Sequence, residues 1–168
     1  MNLPEKNLDT PFNITRTSHV VLTVKDLEAS RLFYTEVVGL MVTEQDGGTL
    51  YLRGVEEACH HSLVLKQSND APRCERIGMR VLRERDLEPL KAFFDGQGLK
   101  TAWADVPHQG KTLHVSDISG VPLEFCATMT VVPRPLTQFH LHKGGSALRI
   151  DHYQILVPDV GKACEFYM

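Results

Sequence analysis

A stretch of seventeen residues near the start of the chain returns at its end. Ser18 to Tyr34 lies without a gap on Asp151 to Tyr167. His19/His152, Val24/Val157, Asp26/Asp159, Phe33/Phe166 and Tyr34/Tyr167 are identical, where unrelated segments of average composition would share about one position. A repeated unit of this kind signals an architecture of modules, each needing a neighbour to cover its apolar face. The second copy stops at Met168, so a truncated product that opens a module without completing it is expected.

Periodicity fills in the module. His19 to Val24 is a β-rich run, Asp26 is a good N-cap, and Leu27, Phe33, Tyr34 and Val37 recur at helical spacing up to Gly39. Leu40 to Glu44, Thr49 to Arg53 and Ser62 to Lys66 then read as three strands, the first two joined through Asp46-Gly47-Gly48. The order βαβββ follows, and it recurs. Ile77 to Leu82 is a strand and Asp86 to Phe94 a helix with Pro89 tolerated in its first turn. Lys100 to Ala104, Thr112 to Asp117 and Leu123 to Thr128 supply three more strands. The expected organisation is a flexible arm over 1–15, a two-module βαβββ domain over 16–128, a Pro- and Gly-bearing connector over 129–147, and the start of a third module over 148–168. The fold class is α+β, with paired modules forming a curved mixed sheet. The third module has only a strand and about two turns of helix, so its apolar face must pack on the first domain, pair with another chain, or stay mobile.

A formal charge of −3 with mixed signs offers no basic stripe to nucleic acid. There is no apolar run of membrane-spanning length and no secretory leader, so a cytoplasmic location is expected. Four scattered cysteines without a C-x-x-C pair read as reduced packing residues. Phosphate-loop, dinucleotide and serine-nucleophile motifs are absent from the sequence.

The chemistry candidates are histidines and one glutamate. His19 and His152 occupy the same slot at the start of a strand, suited either to holding a metal or to being a satisfied core or edge residue. Glu124 lies among Leu123, Phe125 and Cys126. It must be paired, metal-bound, or on the solvated face of an alternating strand. His60 and His61 are adjacent, so a strand would point them to opposite faces and they could not chelate one ion together. His114 alternates with Leu113 and Val115 and is expected to face solvent. His140 and His142 sit in the connector, read as surface histidines, and His108 sits in a hairpin loop with no nucleophile beside it.

The order of elements, with His19 to Ser30 leading to Phe33-Tyr34 and Val38-Gly39-Leu40, resembles the vicinal oxygen chelate superfamily. Leu50 to Arg53, Glu56-Glu57, His60 to Leu65, and Leu148 to His152 resemble type I extradiol ring-cleavage dioxygenases of the catechol and homoprotocatechuate 2,3-dioxygenase kind. The resemblance implies an amino-terminal portion of an enzyme that cleaves a catechol-type ring with O2 in aromatic degradation. Its Fe(II), occasionally Mn(II), would be held by two histidines and a glutamate, an arrangement that leaves positions open for substrate and oxygen.

By position, His152 matches the first ligand, and the other ligands and catalytic residues belong to parts of the family absent here. In the first domain His19 and Glu124 fall on ligand slots, while the third slot falls near Ile77-Gly78, with no histidine from Ser62 to Pro107. No metal and no ring cleavage are therefore expected of the 168 residues alone, and a homo-oligomer is expected. Two alternatives stand beside this reading. One is a metal-free small-molecule-binding or dimerisation module of the same fold. The other is a glyoxalase-type isomerase completing its site with His19 and Glu124 across a dimer.

Overall fold

The computed structural model describes residue 5 and residues 8–168. Among the described residues eight strands form one mixed sheet: β1 (Ile14–Val24), β2 (Met41–Asp46), β3 (Thr49–Arg53), β4 (Leu63–Gln67), β5 (Cys74–Val81), β6 (Thr101–Ala104), β7 (Thr112–Ser116) and β8 (Pro122–Cys126). Their order is β2-β3-β4-β1-β5-β8-β7-β6. Each module therefore carries the same arrangement, with its first strand parallel to its fourth (β1 with β4, β5 with β8) and antiparallel neighbours beyond. The antiparallel pair β1 and β5 joins the modules at the centre.

Helices α1 (Leu27–Leu32) and α2 (Leu87–Gly96) cover one face of the sheet. Asp26 caps α1, its Oδ1 accepting from the Ala29 amide at 2.8 Å. A π-helical stretch, Phe33–Val38, carries the helix to Gly39, which sits at φ 84°. A Cβ at Gly39 would lie 2.1 Å from the Lys143 carbonyl oxygen, so the position needs glycine for conformation and for space. Leu27 of α1 packs on Leu50, Leu52, Leu63 and Leu65 of the strands. Leu87, Leu90 and Phe94 of α2 pack on Ile77, Val81, Leu113, Val115, Leu123 and Phe125. Strand alternation consumes these apolar positions on the helix-covered face and turns the intervening polar residues to the concave one.

Three expectations need correction. Residues 1–4 and 6–7 of the expected arm lie outside the described residues, but its later part is not loose. Phe12 is buried in the α2 core, 5.4 Å from the Phe93 ring, and β1 starts at Ile14, where it pairs with Val81 of β5. Residues 151–157 form no strand. β1 and β5 each have a strand on both flanks, whereas this segment has none beside it among the described residues.

The third-module segment nevertheless packs on the domain. α3 (Val160–Tyr167) is capped by Asp159, as α1 is by Asp26. The Phe166 ring stacks on Phe94 at 5.9 Å, and the Tyr167 hydroxyl donates to Asp117 Oδ2 at 2.8 Å. Tyr153 shares its hydroxyl proton between the carbonyls of His19 and Gly78, at 2.8 and 2.9 Å. All four cysteines are free thiols. No helix among the described residues is long and apolar enough to cross a membrane.

Phe94 joins the sheet core to α3. Phe94→Ala should cost about 3–5 kcal/mol and lower amide-exchange protection in α3, while Val37→Ala, at a side chain 61% exposed, should stay within about 0.5 kcal/mol. Urea unfolding and hydrogen exchange measure both, and equal midpoints for the two variants would contradict this packing.

Candidate functional site

The sheet register sets His19, Gly78, Glu124 and His114 side by side across β1, β5, β8 and β7. Leu123 and Phe125 point into the α2 core, so Glu124 between them faces the concave side, and the same alternation turns His114 there. His114 was expected to face solvent. The ring instead lines the concave cavity and is directed at Glu124. Glu124 itself is 2% exposed, which excludes the solvated-face alternative.

The carboxylate is saturated by N–H donors. His19 Nε2 lies 2.6 Å from Oε1, Gln109 Nε2 2.7 Å from the same oxygen, and His114 Nε2 2.5 Å from Oε2. Arg80 Nε donates to Ser18 Oγ at 3.1 Å, and Ser18 Oγ lies 3.0 Å from His19 Nδ1. Arg76 donates to His114 Nδ1 at 3.4 Å. Facing the carboxylate, each Nε2 carries the proton given to Glu124. Burial works against ionising Glu124, but the His114 and His19 hydrogen bonds outweigh it and hold the carboxyl well below the usual carboxylate range.

His19, Gly78 and Glu124 do not fit a mononuclear iron or manganese ion. His19 and Glu124 offer one imidazole and one carboxylate, two of the three protein donors that such a site needs. The third slot is Gly78, which has no ligand atom. A Cβ there would fall 2.2 Å from His19 Cε1, so the imidazole occupies the space that a side chain at 78 would need.

A second histidine group flanks this row. β4 begins only at Leu63, so His60 and His61 precede the ladder and escape its alternation. Both are buried, and their Nδ1 atoms lie 3.1 Å apart; the expected opposite orientation does not occur. His61 packs edge-on against His19 at 5.1 Å. Burial, reinforced by the nearby His19 and His60, pushes its pKa down to about 2, so it is neutral. His60 Nε2 lies 3.0 Å from Glu44 Oε2, and His108 reaches the same oxygen at 3.3 Å. The rows border a concave cavity of about 840 Å³ that Tyr51, His61, Arg76, Gln109, His114 and Glu124 help to line. His152 stands apart, its side chain 84% exposed and its Nδ1 3.3 Å from Asp151 Oδ2. His140 is exposed, and His142 bonds the Pro135 carbonyl. Sequence reasoning missed Ser18, Arg76, Arg80 and Gln109, because only the strand order brings them to Glu124.

Glu124 contributes stability above its unfolded pKa of about 4.3, which is lost as pH falls through its lower folded value. Glu124→Gln should therefore cost about 3 kcal/mol or more at pH 7, and the gap to the parent chain should narrow in acid. Denaturant midpoints at pH 7 and pH 3 test this; a gap independent of pH would contradict it.

Comparison with known proteins agrees with the curved mixed sheet. The description Glyoxalase/Bleomycin resistance protein/Dioxygenase superfamily matches residues 16–125. The chain is 27% identical over 173 residues to metapyrocatechase of Geobacillus stearothermophilus, covering 96% of this chain and 52% of that one. It is 30% identical over 114 residues to a manganese-dependent 2,3-dihydroxybiphenyl 1,2-dioxygenase of Geobacillus genomosp. 3, covering 66% of this chain and 36% of that one. Homoprotocatechuate 2,3-dioxygenase of Brevibacterium fuscum, solved with 3,4-dihydroxyphenylacetate, superposes with a TM-score of 0.88 at 32% identity, over 98% of this chain and 52% of that one. The chain thus spans about half the length of metapyrocatechase and of the Brevibacterium enzyme. With fold, register and sequence in agreement, the chain belongs to the glyoxalase/bleomycin resistance protein/dioxygenase superfamily.

Proposed function

We propose that this chain is the amino-terminal portion of an extradiol dioxygenase, a cytoplasmic homo-oligomer that opens a catechol-type ring beside its diol with O2. The observation that carries the reading is the match of 98% of this chain to 52% of homoprotocatechuate 2,3-dioxygenase at a TM-score of 0.88. The match to metapyrocatechase over a similar share supports it. Fe(II), or Mn(II) as the name of the biphenyl-diol relative suggests, would supply the site at which diol and oxygen meet.

Within this reading the first two modules are scaffold. Their ligand slots are closed by the His19–Glu124 hydrogen bond and by Gly78, so their part is to position the third module, through Tyr153 across the β1–β5 seam and Phe166 against Phe94. His152 is the first ligand by resemblance, and its exposed imidazole is free to turn toward residues of the half these 168 residues do not span. The chain alone would then neither retain catalytic iron nor cleave a ring.

The open reading frame beyond Met168 offers a direct test: a histidine and a glutamate at the corresponding fourth-module positions support the dioxygenase, whereas an immediate stop codon would leave a metal-free binding module. Purified as 168 residues, the chain should consume no oxygen with catechol or 3,4-dihydroxyphenylacetate; iron-dependent uptake measured with an oxygen electrode would overturn the scaffold assignment. In the longer enzyme, His152→Ala should abolish iron retention, and undiminished iron content would remove the ligand role.

A further inference from the structure

We propose that Glu44, His60 and His108 form a binding site for one divalent transition-metal ion of the zinc class, separate from the His19–Glu124 row and independent of the dioxygenase reading. One donor atom from each residue lies within 4.8 Å of the others. His60 Nε2 and His108 Nε2 approach a single carboxylate oxygen, Glu44 Oε2, at 3.0 and 3.3 Å, and the two rings stack at 3.6 Å with an interplanar angle of 6°. Two imidazoles and one carboxylate make a borderline donor set that suits Zn(II), Co(II) and Ni(II).

The surroundings orient these donors. His60 meets His61 through Nδ1, 3.1 Å from the His61 Nδ1. This contact engages the His60 nitrogen away from Glu44 and holds the ring with Nε2 turned to the group, the arrangement in which a ligand's other nitrogen orients it. The Tyr51 ring lies 5.2 Å from the rings of both His60 and His108 and wedges them in place.

His108 is held at φ 66°, a conformation that is uncommon for a side-chain-bearing residue. Its carbonyl accepts from the Thr130 amide at 2.8 Å, and Gln109 beside it bridges to Met129. The loop is thus pinned from behind while its imidazole is presented forward. Glu44 and His108 side chains are 42% and 25% exposed, which leaves an approach for the ion and room for water to complete its coordination.

The place of the site in the topology gives it a role. Glu44 belongs to β2 and His108 to the loop after β6, and these are the two edge strands of the sheet. The Glu44 side chain on β2 meets the loop after β6 here, so an ion held by all three side chains would clasp one module to the other across the mouth of the concave face.

Titration of the 168-residue chain with Zn(II), and with Co(II) for its visible absorption bands, tests the site. One ion per chain should bind, Zn(II) should raise Tm by mass action on the folded state, and Co(II) bands should appear. Glu44→Gln and His108→Gly, the latter suited to positive φ, should each weaken binding by about 100-fold or more, since even outer-shell partners cost 10–100-fold. His140→Ala/His142→Ala should bind as the parent does. A folded chain that takes up no Zn(II), uptake unchanged by Glu44→Gln and His108→Gly, or uptake lost in the His140/His142 variant would each overturn the proposal.

Discussion

The antiparallel pairing of β1 with β5 is the contact on which the two modules depend. On one face of this seam lie Ile77 and Val81 over α2; on the other lie His19 and the glycine opposite it. The polar side is tolerated because every member of the row finds a partner. No buried side-chain nitrogen or oxygen among the described residues is left without one. A carboxylate desolvated as fully as Glu124 would be strongly destabilising alone. With three N–H donors it becomes a cross-brace between β1, β8, β7 and the loop before β7.

This brace shows how little separates a metal-binding copy of the fold from a structural one. The strand positions that could carry ligands are in register, and His19 and Glu124 are present. By the resemblance the remaining slot falls at Gly78, which offers no donor. A side chain there would hold the imidazole of His19 back from the seam; glycine lets it fall 2.2 Å from where a Cβ would stand, and the carboxylate closes on it. The hydrogen-bonded pair and a metal pair are thus alternative uses of the same atoms.

Much of this was readable in the linear chain because it follows from local rules. Asp26 and Asp159 cap their helices as the repeat implies, and apolar alternation places Leu113, Val115, Leu123 and Phe125 in the core. What escaped depends on who lies beside whom. Alternation shows which way His114 leaves its strand but not that Glu124 awaits it. The period-two rule fails for His60 and His61 because the ladder starts only at Leu63. The early residues of β1, Ile14 to Thr17, are rich in β-branched side chains but lack apolar alternation, and they pair with β5. Residues 151–157 carry a β signal and form no strand, since pattern without a neighbouring strand makes no ladder.

The connector bears on how such a chain can vary. Besides Gly39 against Lys143, a Cβ at Gly54 would stand 2.1 Å from the Leu148 carbonyl oxygen, and one at Gly144 2.3 Å from that of Val37. The returning segment is inlaid into the first module at points where side chains are forbidden on one surface or the other. Residues about a hundred positions apart in sequence are therefore mutationally coupled: a bulkier residue at 54 becomes acceptable only after the connector has been rerouted, one at 39 meets the positive φ as well, and an insertion in the connector first has to lift it from these seats. Changes on the two surfaces therefore have to be made together rather than one at a time.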